Sequence, residues 1–148
     1  MKDIDGVFQI CHDKYSDNRG VISEIYRSNE VNEFLGFTML QVTHTRSLPK
    51  VLRGIHGQAW NRIVYPVNGS IMNVLVDIRE KSPTFGKVQT FMIDDAHRCA
   101  LYVPMYVANG YVVLGDEPVD YLYFLDHYYD EKYTMSVAWN DPNLNIDW

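Results

Sequence analysis

Apolar residues in this chain come in short runs bounded by Gly, Pro, Asn and Asp. Most runs either alternate with polar residues or are continuous and rich in β-branched and aromatic side chains, which favours strands over helices. Ten segments read this way: 20–26, 37–45, 50–56, 62–67, 70–78, 87–93, 100–104, 111–114, 119–125 and 133–139. Segments 62–67 and 70–78 flank Asn68-Gly69, a dipeptide suited to the positive φ of a tight turn, and the reading is a β-hairpin across it. Helical spacing is found only at 28–35, where Ser28 or Asn29 would cap a short apolar face. Many short strands at regular spacing predict an all-β sandwich or barrel. The count suits a jelly-roll (cupin-like) barrel with few short helices, a fold that holds ligands in its interior or mouth.

Period-two parity then places side chains. His56 and Gln58 share one face, as do Tyr121 and Tyr123. Arg53 falls on the face opposite His56 unless the strand bulges between them. Gly54 is the residue at which a bulge is expected, and it would turn both side chains into one cavity.

The 148 residues suit one domain, 1–148, with no internal repeat, low-complexity stretch or linker. With 47% hydrophobic and 14% aromatic residues, disorder is excluded as a class. The net charge of -6 and the lack of a Lys/Arg cluster argue against a nucleic-acid partner. Much of the acid lies at Asp94-Asp95 and between Asp116 and Glu131, whereas Arg53 and Arg62 bracket His56 with no acid between them. A small anion would be drawn to that stretch. Neither Cys11 nor Cys99 belongs to a C-x-x-C pair. Two free thiols, no signal peptide and no apolar run near twenty residues predict a reduced, cytoplasmic, soluble protein with no membrane partner.

Small jelly-roll barrels often hold a metal through two histidines one residue apart, an acid and a third histidine. Here the residue two after His56 is Gln58, residues 59–71 contain no acid, and the late position in V-A-N-G-Y is Asn109. One imidazole is too few ligands for zinc or iron, so no metal is expected. His56 is left as a structural histidine or a proton carrier. The remaining histidines, His12, His44, His97 and His127, read as surface or structural. The S-P-T-F-G stretch reads as a hairpin turn with Phe85 packing.

Five segments, in order, carry a resemblance. S-D-N-R-G-V-I-S-E (16–24), L-Q-V-T-H-T-R-S-L-P-K-V-L-R-G-I-H-G-Q (40–58), V-D-I-R-E-K-S-P-T-F-G-K (76–87), D-Y-L-Y-F-L-D-H-Y-Y (120–129) and W-N-D-P-N-L-N-I-D-W (139–148) together resemble the dTDP-4-dehydrorhamnose 3,5-epimerase family. These are metal-free, cupin-type nucleotide-sugar epimerases. The resemblance implies a nucleotide-linked 4-keto-6-deoxy sugar as substrate and no cofactor. The ketone acidifies the hydrogens on C3 and C5; a base removes one, an enolate forms, and an acid on the other face returns a proton. By the motif match His56 is the base and Tyr123 the acid, with Tyr121 or Tyr129 as weaker candidates. Arg62 falls where the family usually has a lysine near the enolate oxygen; it can stabilise that charge but not reprotonate carbon. Arg53 and Arg19 align with diphosphate-binding arginines. Glu24 and Gln41 align with pocket positions, and Gln58 and Asn109 lie in the motifs that surround the base. Arg19 would come from a neighbouring subunit, because family homodimers exchange N-terminal strands.

The chain departs from the family pattern at Asn109, where a second histidine is common, and at Asn73, where an aspartate is common. The family base also commonly leans on an aspartate beyond the last tryptophan; this sequence stops at Trp148, so His56 is expected to lack that carboxylate. These departures keep open inversion at one centre only, a ketoisomerase on the same fold, and a non-catalytic barrel that binds a nucleotide sugar.

Overall fold

The computed structural model describes residues 3–148. In chain order the strands are β1 Phe8–Ile10, β2 Lys14–Asp17, β3 Gly20–Ser23, β4 Gln41–Ser47, β5 Leu52–Gln58, β6 Arg62–Pro66, β7 Ser70–Asp77, β8 Val88–Ile93, β9 Ala100–Val103, β10 Val107–Leu114, β11 Val119–Leu125 and β12 Thr134–Ser136. One helix, α1 Ser28–Leu35, and a 3₁₀ turn, Glu131–Tyr133, complete the set. The all-β reading and the short helix are as the sequence indicates. The Arg27 carbonyl accepts the Val31 amide, so the helix is initiated one residue before Ser28, the earlier of the two predicted caps.

Two five-stranded antiparallel sheets, β1-β9-β6-β11-β4 and β12-β5-β10-β7-β8, face each other, and β2 and β3 form a separate two-stranded hairpin. The inner faces meet in a core that includes Val64, Leu101 and Tyr121 from the first sheet and Ile71, Leu75, Val107 and Tyr111 from the second. The outer faces are covered as well. Ile63, Tyr65, Tyr102 and Phe124 pack under the α1 region through Ile25, Val31, Leu35 and Phe37. Ile55, Met72, Val74 and Val76 pack under the C-terminal segment through Val137, Leu144, Ile146 and Trp148. Burial on both sides explains why β6 and most of β7 read as continuous apolar runs.

The predicted hairpin across Asn68-Gly69 is not formed. β6 pairs with β9 and β11, whereas β7 pairs with β10 and β8. The turn exists, with Gly69 at φ 69, but it carries the chain from one sheet to the other. Asn68 ties it to the first sheet, donating to the Pro118 carbonyl and accepting the Asp120 amide. Local turn chemistry set the reversal of direction; burial of both flanking strands chose their partners. β1 and β2, short and partly polar, gave no strand signal.

The expectation of free thiols is also corrected: Cys11 and Cys99 are joined in a disulfide across 88 residues of sequence, linking the end of β1 to the start of β9. The thiol argument for a reducing compartment falls with it. No helix among the described residues is long and apolar enough to cross a membrane.

The S-P-T-F-G segment does connect β7 to β8, but Phe85 is exposed and does not pack. What organises that loop is Asp77, fully buried, which accepts hydrogen bonds from the Arg79 guanidinium, Ser82 and Thr84. Burial pushes this carboxyl up, but the hydrogen bonds outweigh it and hold Asp77 well below the usual carboxylate range. Arg79 also donates to the Asp5 carbonyl, tying the N-terminal segment to the barrel.

Candidate active site

At one end of the barrel the inner faces turn polar around a cavity of about 220 Å³. Its walls carry Arg53, His56 and Gln58 from β5, Asn109 from β10, Arg62 from β6, Thr43 and Thr45 from β4, and Tyr123 and Leu125 from β11, with Tyr129 beyond that strand. Arg53 and His56 reach the same cavity because β5 bulges. Asn109 pairs with His56 and Tyr111 with Arg53, so four residues of β5 oppose three of β10. Gly54 lies inside the bulge at φ 128, and a Cβ there would sit 2.5 Å from the Gly110 Cα. Only glycine fits this backbone.

The Arg62 guanidinium is fully buried and is held by neutral acceptors: Gln58 Oε1 at 2.7 Å, the Val107 carbonyl at 2.7 Å and the His56 carbonyl at 3.2 Å. Burial lowers its pKa to about 10, opposed by the neighbouring Tyr123 and Tyr121, so it stays cationic at neutral pH. A buried cation with neutral partners keeps its attraction for an anion, because water does not screen it.

His56 stands at the exposed side of the same wall. Partial burial, then the charge of Arg62, lowers its pKa and favours the neutral imidazole. Its Nδ1 lies 3.3 Å from the Ser136 hydroxyl, the residue directly across the β5–β12 ladder. On the facing sheet, burial raises the Tyr123 phenol well above its ordinary pKa, so the proton is retained. One wall thus offers an unprotonated nitrogen and the other a protonated oxygen, with a fixed positive charge beside them.

Behind the cavity the polar groups are paired. The Tyr121 hydroxyl donates to Asn73 Oδ1 at 2.6 Å, and Asn73 Nδ2 donates to Asn109 Oδ1 at 2.9 Å. Tyr121 is sealed in the core with its ring stacked 4.3 Å from Tyr111, which removes it as a candidate acid. Arg53 Nε donates to Ser47 Oγ at 2.7 Å, and that hydroxyl meets the Tyr111 hydroxyl at 2.8 Å.

Of the residues singled out by sequence, His56, Tyr123, Arg62, Arg53, Gln58 and Asn109 line the cavity, as does the alternative acid Tyr129; Gln41, Glu24 and Arg19 do not. Gln41 spends its carboxamide on Thr43 and on the Tyr129 amide, bracing two residues that do line the cavity. Glu24 is drawn onto Arg27 by a two-pronged surface ion pair. Arg19 sits at the tip of the β2–β3 hairpin, 80% exposed and paired with Asp17, away from its own chain's cavity. Sequence reading missed Thr43, Thr45, Ser47, Tyr111 and Ser136, whose positions follow only from strand pairing. Among the described residues no three His, Cys, Asp or Glu side chains converge as a metal site would require.

The family model for dTDP-4-dehydrorhamnose 3,5-epimerase matches residues 1–148. A dTDP-4-dehydrorhamnose 3,5-epimerase from Neisseria gonorrhoeae is 36% identical over 138 residues; the match covers 90% of this chain and 42% of that protein's length. A dTDP-6-deoxy-D-glucose-3,5-epimerase from Legionella pneumophila, solved with dTDP-4-keto-L-rhamnose, superposes with a TM-score of 0.86 at 29% identity, covering 96% of this chain and 83% of that one. A 3'-monoepimerase from Streptomyces bikiniensis, solved with dTDP-quinovose, gives 0.91 at 27% identity, covering 99% and 77%.

Proposed function

From the membership of this chain in the dTDP-4-dehydrorhamnose 3,5-epimerase family, we propose that it is a nucleotide-sugar epimerase acting on a dTDP-linked 4-keto-6-deoxy sugar. The observation that carries this reading is the shared cavity: His56 from one sheet and Tyr123 from the other, beside the buried guanidinium of Arg62.

The His56 nitrogen takes a proton from the carbon next to the ketone. The C–H electrons move into the carbon–carbon bond and onto the ketone oxygen, giving an enolate beside Arg62. The Tyr123 hydroxyl returns a proton to the opposite face of that carbon, and the enolate collapses to the ketone with inverted configuration. Solvent restores the proton to tyrosine and removes it from histidine, so no net oxidation or reduction occurs. The three groups match the needs of the step: a base that is neutral at working pH, an acid that keeps its proton, and charge fixed where negative charge develops. Gln58 and Asn109 hold the substrate around the reacting ring, Arg53 meets its diphosphate, and the cavity size suits a sugar ring with the nucleotide lying across the mouth.

The same proposal includes a homodimer. The β2–β3 hairpin exposes Tyr15, Val21 and Ile22 at 68%, 63% and 68%, a set of apolar side chains at odds with a solvent-facing ribbon. β4, an edge strand of the first sheet, exposes Val42 beside Leu40. A hairpin exchanged between two copies covers both and brings Arg19 and Glu24 toward the neighbour's cavity, where Arg19 meets the diphosphate.

The test is deuterium incorporation. With a dTDP-linked 4-keto-6-deoxy sugar in D2O, NMR should show label at C3, C5 or both, and His56→Ala should abolish it. Label at one carbon means a single inversion, and label at both means two. Binding without label would replace the epimerase reading with that of a binding barrel.

A further inference from the structure

We propose that Ser136 is the positioning residue for His56: its hydroxyl accepts the Nδ1 proton, fixes the ring tautomer, and leaves Nε2 unprotonated toward the cavity. This rests on the reading of His56 as the base. His56 is the middle residue of a short row across three neighbouring strands of one sheet. Ser136 lies opposite His56 on one side and Asn109 lies opposite it on the other. The Ser136 Oγ is 3.3 Å from Nδ1. The backbone locks that approach, because the Val137 amide donates to the Ile55 carbonyl at 2.9 Å, immediately beside the pair.

An imidazole can carry its single proton on either nitrogen, and only one arrangement gives a base where the substrate sits. The partner on the far nitrogen decides which. His44 and His97 show the usual alternative in this same chain: each has an aspartate, Asp120 and Asp94 respectively. His56 has a neutral hydroxyl instead. The other groups around it are Arg62 from β6, Arg53 from its own strand, Asn109 from β10, and Tyr123 and Tyr129 across the cavity. None of these can accept the Nδ1 proton as a charged group, and Arg62 opposes a second proton on the ring. The hydroxyl therefore orients the base without making it more basic, which suits a proton carrier that must release what it takes.

The experiment has two parts. In ¹⁵N-histidine-labelled protein without substrate, NMR should show His56 of the wild type as the Nδ1–H tautomer. Ser136→Ala should convert it to a mixture, and Ser136→Thr, which keeps the hydroxyl, should restore it. In the deuterium assay Ser136→Ala should lower kcat by about tenfold with little change in KM, again rescued by threonine. Ser136→Asp should move the acid limb of the rate profile to higher pH, because a carboxylate favours the charged ring. An unchanged tautomer in Ser136→Ala, or an unmoved acid limb in Ser136→Asp, overturns the proposal. The two readings fail separately: if His56→Ala still exchanges deuterium, the base assignment is lost, while the tautomer measurement still decides whether Ser136 sets the ring.

Discussion

At the scale of the residue, the site depends on how Arg62 and His56 influence one another. A cation buried among neutral oxygens lowers the proton affinity of the imidazole beside it, adding to the effect of burial. A base with a lowered pKa stays unprotonated further into acid, so the acid limb of kcat/KM should fall below the ordinary imidazole value of about 6.5. Arg62→Met should do two things at once. It should cut kcat by about 100-fold or more, since the developing enolate loses its fixed charge, and it should raise the pH of the acid limb. A pH–rate series on the two proteins checks both; a limb that stays in place after the substitution would show that the charges are not coupled. Tyr123→Phe should spare proton removal more than net inversion, read as deuterium exchange outlasting product formation. The residues proposed for this chemistry were legible because each lies in a motif with a fixed chemical demand. Ser136 was not: its strand is short, its neighbours are unremarkable in sequence, and its meaning comes from standing opposite His56 in a ladder.

At the scale of the element, the bulge in β5 is what makes a strand with period-two parity deliver Arg53 and His56 to one cavity. Gly54→Ala meets the neighbouring backbone of β10 and an unfavourable φ together. It should destabilise the protein by about 2–4 kcal/mol in urea unfolding, and any folded fraction should lose activity as the two side chains part. The β7–β8 loop offers a second case. Asp77 has a carboxyl held below its unfolded value, so its stabilisation is fully present above about pH 4 and is lost as pH falls further. Asp77→Asn should cost about 3 kcal/mol at pH 7, and the gap to the wild type should narrow at pH 3. A gap that is unchanged between the two pH values would rule out the carboxylate as the source. The glycine bulge was readable from its strand context. The Asn68-Gly69 hairpin was misread for a physical reason: the turn fixes a reversal over a few residues, while strand partners are fixed by which faces Ile63, Tyr65, Met72 and Val74 must bury.

At the scale of the whole molecule, the barrel is closed around its core, but its N-terminal arm is not. Cys11–Cys99 fastens the end of β1 to β9, and the chain then runs out as the β2–β3 hairpin, tied to the β8–β9 turn by Lys14, before returning through α1. The pairing was invisible in the sequence because 88 residues separate two cysteines that meet only when β1 docks on β9. The anchored arm carries exposed Tyr15, Val21 and Ile22 and, at its tip, a free-standing Arg19–Asp17 pair. If two copies exchange this arm, apolar association and substrate binding become one property, since the same hairpin that covers the neighbour's edge supplies the diphosphate arginine. Replacing Val21 and Ile22 together with lysine should therefore shift the protein from dimer to monomer in sedimentation, and raise KM at least about tenfold. Arg19→Ala should raise KM to a similar degree while leaving the dimer intact. A mixture of the Arg19→Ala chain with a His56→Ala chain separates exchange from simple contact. In an exchanged heterodimer one cavity combines both lesions and the other keeps His56 with an intact Arg19 from its neighbour, so mixing and reassociating two impaired proteins should restore activity at low substrate. No restoration, with heterodimers demonstrably formed, would mean that Arg19 serves its own chain or none.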